Sequence, residues 1–80
     1  MNRNVYLQIG GLYMTTVCNS WNRALKNQIF MVVDTEISKM GYWKYQIYFL
    51  NPEAQALWKT AEDVGCTSFT SISANEYTSI

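Results

Sequence analysis

Two β-rich runs separated by a glycine-containing loop constrain this sequence more than any other feature. Residues 28–38 and 42–50 are dense in β-branched and aromatic side chains, and Lys39-Met40-Gly41 lies between them. A three-residue loop with glycine at its left-handed position is a common closure of β-hairpins. The sequence therefore predicts a central hairpin.

Counting outward from this loop predicts one almost wholly apolar face. Four cross-strand pairs make up that face: Ile37 with Trp43, Thr35 with Tyr45, Val33 with Ile47, and Met31 with Phe49. The opposite face carries three further pairs: Glu36 with Lys44, Val32 with Tyr48, and Phe30 with Leu50. We expect the first face to be core, and Glu36 and Lys44 to attract each other across the strands. Because the second face is half apolar, part of it should be covered as well.

Residues 51–65 have the pattern of an amphipathic helix. Asn51 is a good N-cap, Pro52 fits the first helical position, and Glu53 complements the helix dipole. Apolar residues recur at steps of three and four, which predicts one buried stripe: Ala54, Leu57, Trp58, Ala61 and Val64. Gly65 is expected to end the helix.

Residues 5–17 predict a second hairpin, because Gly10-Gly11 can form a two-residue turn. This hairpin would pair Ile9 with Leu12, Leu7 with Met14, and Val5 with Thr16. One long strand with a glycine bulge is the alternative. Residues 18–27 fit either a loop or a short helix, capped by Asn19 or Ser20 and carrying Trp21 and Leu25 one turn apart.

The last segment predicts an irregular strand from Cys66, with Phe69 and Ile72 as its main apolar residues, and fraying over residues 74–80. Residues 1–80 are long enough for a single domain. The predicted fold class is α+β: a mostly antiparallel sheet of four to five strands, in the order ββ-ββ-α-β, with one main helix packed on one face. One helix cannot cover both faces of such a sheet, so the other face is either polar or covered by a partner.

The charge composition favours a protein partner over nucleic acid. The net charge is zero, and charged residues make up 15% of the chain, against roughly 25% in an average soluble domain. A surface with so few charges can be covered at modest desolvation cost. The basic residues are scattered, whereas phosphate binding needs clustered cations.

The expected cellular location of the protein follows from the length of its apolar runs and from its two cysteines. No run approaches the roughly 20 apolar residues of a membrane span, so no membrane contact is expected. Cys18 and Cys66 could pair with each other, but two cysteines 48 residues apart are not the disulfide framework of a small secreted protein. We therefore predict two reduced thiols and a cytoplasmic protein.

Catalytic chemistry finds little support in the sequence. The chain has no histidine, which excludes the usual nucleophile–histidine devices. Asp34 and Glu36 could share one strand face and hold a divalent cation, but a solvated strand face explains them better. Gly10-Gly11 lacks the spacing of a phosphate loop. We therefore predict no enzyme activity, no metal and no cofactor.

The tyrosines and one lysine make the candidate binding surface. We expect an exposed partner-binding set of Tyr6, Tyr13, Tyr42, Lys44 and Tyr48, because aromatic side chains often anchor protein interfaces. The predicted function is a non-catalytic protein-interaction module, an inhibitor or adaptor that binds and blocks a larger complex. Its small, neutral, histidine-free composition is typical of an accessory protein from a virus or mobile element.

A nucleotide or single-strand binder is the alternative function. It would stack bases on Tyr42, Tyr45 or Tyr48 and place Lys44 and Arg23 near phosphates. A homodimer joined through an edge strand is compatible with either function.

Overall fold

The computed structural model describes residues 6–62 and 69–80. Its elements are β1 (Leu12–Thr15), a 3₁₀ helix (Arg23–Leu25), β2 (Ile29–Ile37), β3 (Trp43–Phe49), α1 (Pro52–Glu62), a second 3₁₀ helix (Ala74–Glu76) and β4 (Tyr77–Ser79). The strands form one antiparallel sheet in the order β3-β2-β1-β4, and α1 packs against β3 and the first 3₁₀ helix. The predicted α+β class, with one helix on a four-stranded antiparallel sheet, is confirmed.

The central hairpin has the predicted register near its loop and a shifted register farther away. Ile37 lies opposite Trp43 and Glu36 opposite Lys44, as expected. A bulge between Val32 and Asp34 then shifts the pairing by one residue. Because neighbouring side chains on a strand point to opposite faces, this shift exchanges the faces of all earlier residues in β2.

The bulge corrects four predicted pairs. Val32 rather than Val33 lies opposite Ile47, Met31 lies opposite Tyr48, and Phe30 lies opposite Phe49, so the predicted partnership of Phe30 with Leu50 is also wrong. Phe30 and Val32 are fully buried, whereas Val33 is exposed. The bulge thus brings a large aromatic ring into the core in place of the more flexible Met31.

The predicted N-terminal hairpin is wrong in its pairing. β1 pairs with β2 on one side and with β4 on the other, which leaves no free edge for residues 6–9. A tight turn does form there: the Gly11 N–H donates to the Gln8 carbonyl at 3.0 Å, and Gly10 has a φ of +85°. This positive φ suits glycine at the third position of a type II turn. The predicted pair of Val5 lies outside the described residues.

The helix begins as predicted. The Asn51 side-chain carbonyl accepts the Glu53 N–H at 3.0 Å, and the Gln55 N–H donates to the Asn51 backbone carbonyl at 2.9 Å. Its buried face differs from the predicted stripe, because Ala54 and Gln55 are buried while Leu57 is exposed. The Gln55 Oε1 accepts the Phe49 N–H at 2.8 Å, so its amide satisfies a buried strand donor. Val64 and Gly65 lie outside the described residues.

The two remaining segments are more ordered than the sequence indicates. The short helix near Trp21 is a 3₁₀ turn, and Asn22 rather than Asn19 or Ser20 caps it through the Ala24 N–H. Residues 77–79 form β4 instead of fraying, since they pair with β1. Thr70 also exchanges two backbone hydrogen bonds of 2.7 Å with Tyr45 on the edge of β3.

An aromatic cluster fills the space between the sheet and α1. Ring centroids lie 5.7–6.3 Å apart among Trp21, Phe30, Phe49 and Trp58, the range in which aromatic pairs attract one another. The Trp21 indole N–H donates to the Glu76 carbonyl at 2.7 Å. The core therefore lies on one face of the sheet, called the inner face below.

Candidate functional site: the outer sheet face

The opposite side of the sheet, the outer face, is apolar over its half farthest from the Gly41 loop. Side chains alternate between faces along each strand, so the neighbours of the buried residues point outward. Two rows cross the sheet here, and they define the outer-face rows: Leu12, Met31 and Tyr48 in the first, and Met14, Ile29 and Leu50 in the second. Leu50 directly follows β3, and its N–H donates to the Ile29 carbonyl at 3.0 Å. Not one of these six side chains carries a charge.

The outer-face rows are open to solvent. Leu12, Ile29, Tyr48 and Leu50 each expose between 37% and 48% of their surface, and the two methionines are half-buried. The bulge residue Val33 adds to the patch with 44% of its surface exposed. Contiguous apolar patches of several hundred Å² commonly mark interaction sites on soluble proteins.

Within residues 6–62 and 69–80, the elements outside the sheet lie on the inner face. Trp21 and Leu25, at the first 3₁₀ helix, belong to the buried core together with Ala54 of α1. Ile72 also contributes its side chain to this core. Among the residues that the structure describes, α1 is the one long helix and nothing forms a second layer on the outer face, although domains normally bury apolar sheet faces against another layer.

Charged side chains are concentrated at the other end of the outer face, next to the Gly41 loop. Glu36 lies opposite Lys44, and Asp34 lies opposite Gln46. The Asp34 carboxylate accepts the Thr35 N–H at 2.8 Å. The outer face thus divides into an apolar half and a charged half along the direction of the strands.

A groove of about 370 Å³ borders the apolar half on the β3 side. Val33, Tyr48 and Ile47 supply its apolar wall, and Gln46, Gln55 and Lys59 supply its polar rim. Such a depression beside an apolar patch can receive one anchoring side chain of a partner protein.

The structure brings only part of the predicted binding set together. Lys44 and Tyr48 project from the outer face of β3, and Tyr42 precedes that strand at the loop end with 45% of its surface exposed. Tyr6 is exposed, but it packs edge-on against Trp43 at 4.9 Å between ring centroids. Trp43 precedes the buried Tyr45 by two residues and therefore lies on the same, inner face as Tyr45.

Tyr13 lies on the inner face, away from the other members of the set. Its ring is 5.9 Å from Phe30 and 5.5 Å from Tyr77 between centroids, and its hydroxyl accepts the Gln8 N–H at 3.1 Å. The ring is half-buried against the core. Tyr13 therefore stabilises the sheet. The aliphatic residues of the outer-face rows, which were not among the predicted binding residues, form the larger open surface.

Tyr45, one of the three rings considered for base stacking, is fully buried. Its hydroxyl accepts the Leu7 N–H at 3.1 Å. Burial raises the pKa of the Tyr45 phenol, although the hydrogen bond from Leu7 partly opposes this shift. The ring is not accessible to a base.

The raised pKa of Tyr45 predicts a loss of stability at high pH. The folded state favours the neutral form of the Tyr45 phenol. Its contribution to the free energy of unfolding is therefore complete below the ordinary tyrosine pKa of about 10, and it is lost as the pH rises through the pKa of Tyr45 in the folded state. Urea unfolding between pH 8 and pH 11.5 should show this decline. Tyr45→Phe should show a smaller decline above about pH 10, and an equal decline in both proteins would contradict the assignment.

Reactive groups do not converge in the part of the chain that the structure describes. No three acidic, cysteine or histidine side chains there lie close enough to hold a metal ion. The Thr16 hydroxyl, as the main cause, lowers the pKa of the half-buried Cys18 thiol. With no histidine in the chain, this thiol has no imidazole base.

The described residues contain no helix that is both long enough and apolar enough to cross a membrane. No family model matches the chain, and the searches of curated proteins and of solved structures returned no match.

Proposed function

We propose that this chain is a non-catalytic protein-interaction module, and that the outer-face rows are its binding surface. The observation that supports this proposal is that one half of the outer face is apolar and uncharged, and that the described residues leave it exposed to solvent. Burying such a surface is favourable at roughly 25 cal/mol per Å² before the costs of association. Lys44 and Tyr42 lie toward the charged end and would form part of the polar rim.

The proposed role is that of an inhibitor or adaptor that occludes a larger macromolecular complex. The small size, zero net charge and lack of histidine support a function exerted by binding rather than by chemistry. The same composition supports our proposal of an accessory protein from a virus or mobile element. Two cysteines 48 residues apart in sequence support the cytoplasm as its compartment.

The geometry favours a protein partner over a nucleic acid. Tyr48 and Tyr42 are six residues apart along an extended strand, about 20 Å, with Tyr45 buried between them. Asp34 and Glu36 flank Lys44 and Gln46 on the same face, where they would repel phosphates.

Affinity purification from the native host, with and without nuclease, tests this function. We expect a stoichiometric protein partner that survives nuclease treatment and is lost with Leu12→Glu. Tyr48→Ala should weaken its binding about tenfold or more, since tyrosines are common interface hot spots.

Met40→Glu is the matched control, because Met40 lies in the hairpin loop with 77% of its surface exposed. It introduces the same charge outside the outer-face rows and should retain the partner. Equal capture by the Leu12→Glu and Met40→Glu proteins would disprove the proposed surface. An eluate in which nuclease removes all bound material would instead support the nucleic-acid function.

A further inference from the structure

We propose that the occupant of the outer-face rows, when no other partner is bound, is a second copy of this chain, packed face to face to form a two-sheet sandwich. This inference rests on the proposed function only in using the same surface. It makes self-association and partner binding mutually exclusive, because the partner and the second copy need the same side chains.

The size of the patch fits a dimer interface. Five side chains with 37–48% of their surface exposed, together with two half-buried methionines, present on the order of 500 Å² of apolar surface, near the upper end of patches on stable monomers. The polar rim of the groove, formed by Gln46, Gln55 and Lys59, extends the area toward the roughly 800 Å² per partner of a standard interface.

The charge distribution allows two copies to meet without burying an ion. The chain has zero net charge, and the outer-face rows carry none. A two-fold axis through these rows, perpendicular to the strands, would point the two Gly41 loops in opposite directions. Asp34, Glu36 and Lys44 of both copies would then stay outside the contact and remain hydrated, which avoids the desolvation of buried charges.

The sheet edges are less suited to self-association than the face. On β3, Tyr45 already exchanges backbone hydrogen bonds with Thr70, and the Phe49 N–H donates to Gln55. At the opposite edge, β4 is only three residues long, and short edge strands limit pairing with other chains. Face-to-face packing also buries apolar surface, which pairing through an edge would leave in water.

The test is sedimentation equilibrium of the purified full chain in the presence of a reductant, which prevents intermolecular disulfides through Cys18 or Cys66. We expect a monomer–dimer equilibrium in the wild-type protein and in Met40→Glu. Leu12→Glu should weaken the dimer about a hundredfold, because its carboxylate would face apolar side chains. Circular dichroism would verify that each variant is folded.

A second measurement covers the case in which Leu12→Glu fails to fold. A mixture of isotope-labelled and unlabelled wild-type chains should give intermolecular nuclear Overhauser effects from the Ile29 and Leu12 methyl groups. A wild-type chain that stays monomeric to millimolar concentration would overturn the inference. A dimer whose intermolecular contacts lie at β3 or β4 edge atoms would overturn it too.

The two proposals fail separately. A monomeric chain whose host partner is still lost with Leu12→Glu would remove the dimer and leave the binding function intact. A dimer that depends on Leu12, combined with host capture that does not, would confirm the dimer and remove the proposed partner surface.

Discussion

Phe30→Ala should lower the free energy of unfolding by about 3–5 kcal/mol, the usual range for removing a large aromatic ring from a core. Phe30 is fully buried at the centre of the sheet, and its ring contacts those of Tyr13, Trp21 and Phe49 at centroid separations of 5.9–6.3 Å. Because small domains have total stabilities of about 5–15 kcal/mol, much of the mutant protein could be unfolded at 37 °C. Urea unfolding followed by tryptophan fluorescence would measure the loss.

Ile37→Ala is the control for this prediction. Ile37 lies on the same strand but exposes 59% of its surface, and its replacement should change the free energy of unfolding by less than about 0.5–1 kcal/mol. If Phe30→Ala lowered the free energy of unfolding as little as Ile37→Ala, Phe30 would not be in the core. The bulge assigned at Val33 would then be wrong as well, since it determines which face of the sheet Phe30 occupies.

Thr15→Val should destabilise the fold by about 2–4 kcal/mol although it hardly changes the side-chain volume. The fully buried Thr15 hydroxyl donates to the Leu25 carbonyl and accepts the Gln28 N–H at 2.9 Å. Valine can make neither bond, and each unsatisfied buried group costs about 1–3 kcal/mol. Thermal and urea unfolding of the purified variant would measure the effect.

Thr15→Ser separates the hydroxyl from the methyl group. Serine keeps both hydrogen bonds, so the loss should fall to about 1 kcal/mol, mainly from the missing methyl group. A serine variant as unstable as the valine variant would mean that packing, not hydrogen bonding, explains the burial of Thr15.

The sequence predicts elements well where local chemistry decides them. Asn51 and Pro52 specify the start of α1, and Gly41 with its flanking β-branched residues specifies the central hairpin. Both signals lie within a few residues of the structure they produce. The α+β class follows from these two elements together with the short strand-like runs on either side.

Features decided by distant contacts could not be predicted in this way. Nothing local to Val33 marks a bulge, and its position depends on which residues of β2 best fill the space beneath α1. β4 forms because β1 provides an edge with which it can pair. The paired residues Thr15 and Tyr77 are 62 positions apart in the sequence. The polar side chain of Gln55 is typical of a surface residue, and its burial is explained only by the hydrogen bond that it accepts from the buried Phe49 N–H.

The candidate site was predicted only in outline. One helix cannot cover both faces of the sheet, which predicts an uncovered face, and Lys44 and Tyr48 lie on such a face. Pairing counted from the Gly41 loop without the bulge puts Phe30 and Val32 on that face and Met31 in the core. Tyr13 was predicted to be exposed, but it points inward because it pairs with Phe30 in β2 rather than with residues before Gly10.

The bulge has a consequence for how this chain can change over generations. The Val33 side chain is exposed, so most single-codon substitutions at this position should be neutral for folding. Loss of the same codon would remove only the extra residue, because Val32 opposite Ile47 and Asp34 opposite Gln46 would then be consecutive pairs of a regular ladder. Related sequences are therefore expected to vary in residue type at position 33, or to lack this residue, while Phe30 and Val32 keep their places in the core.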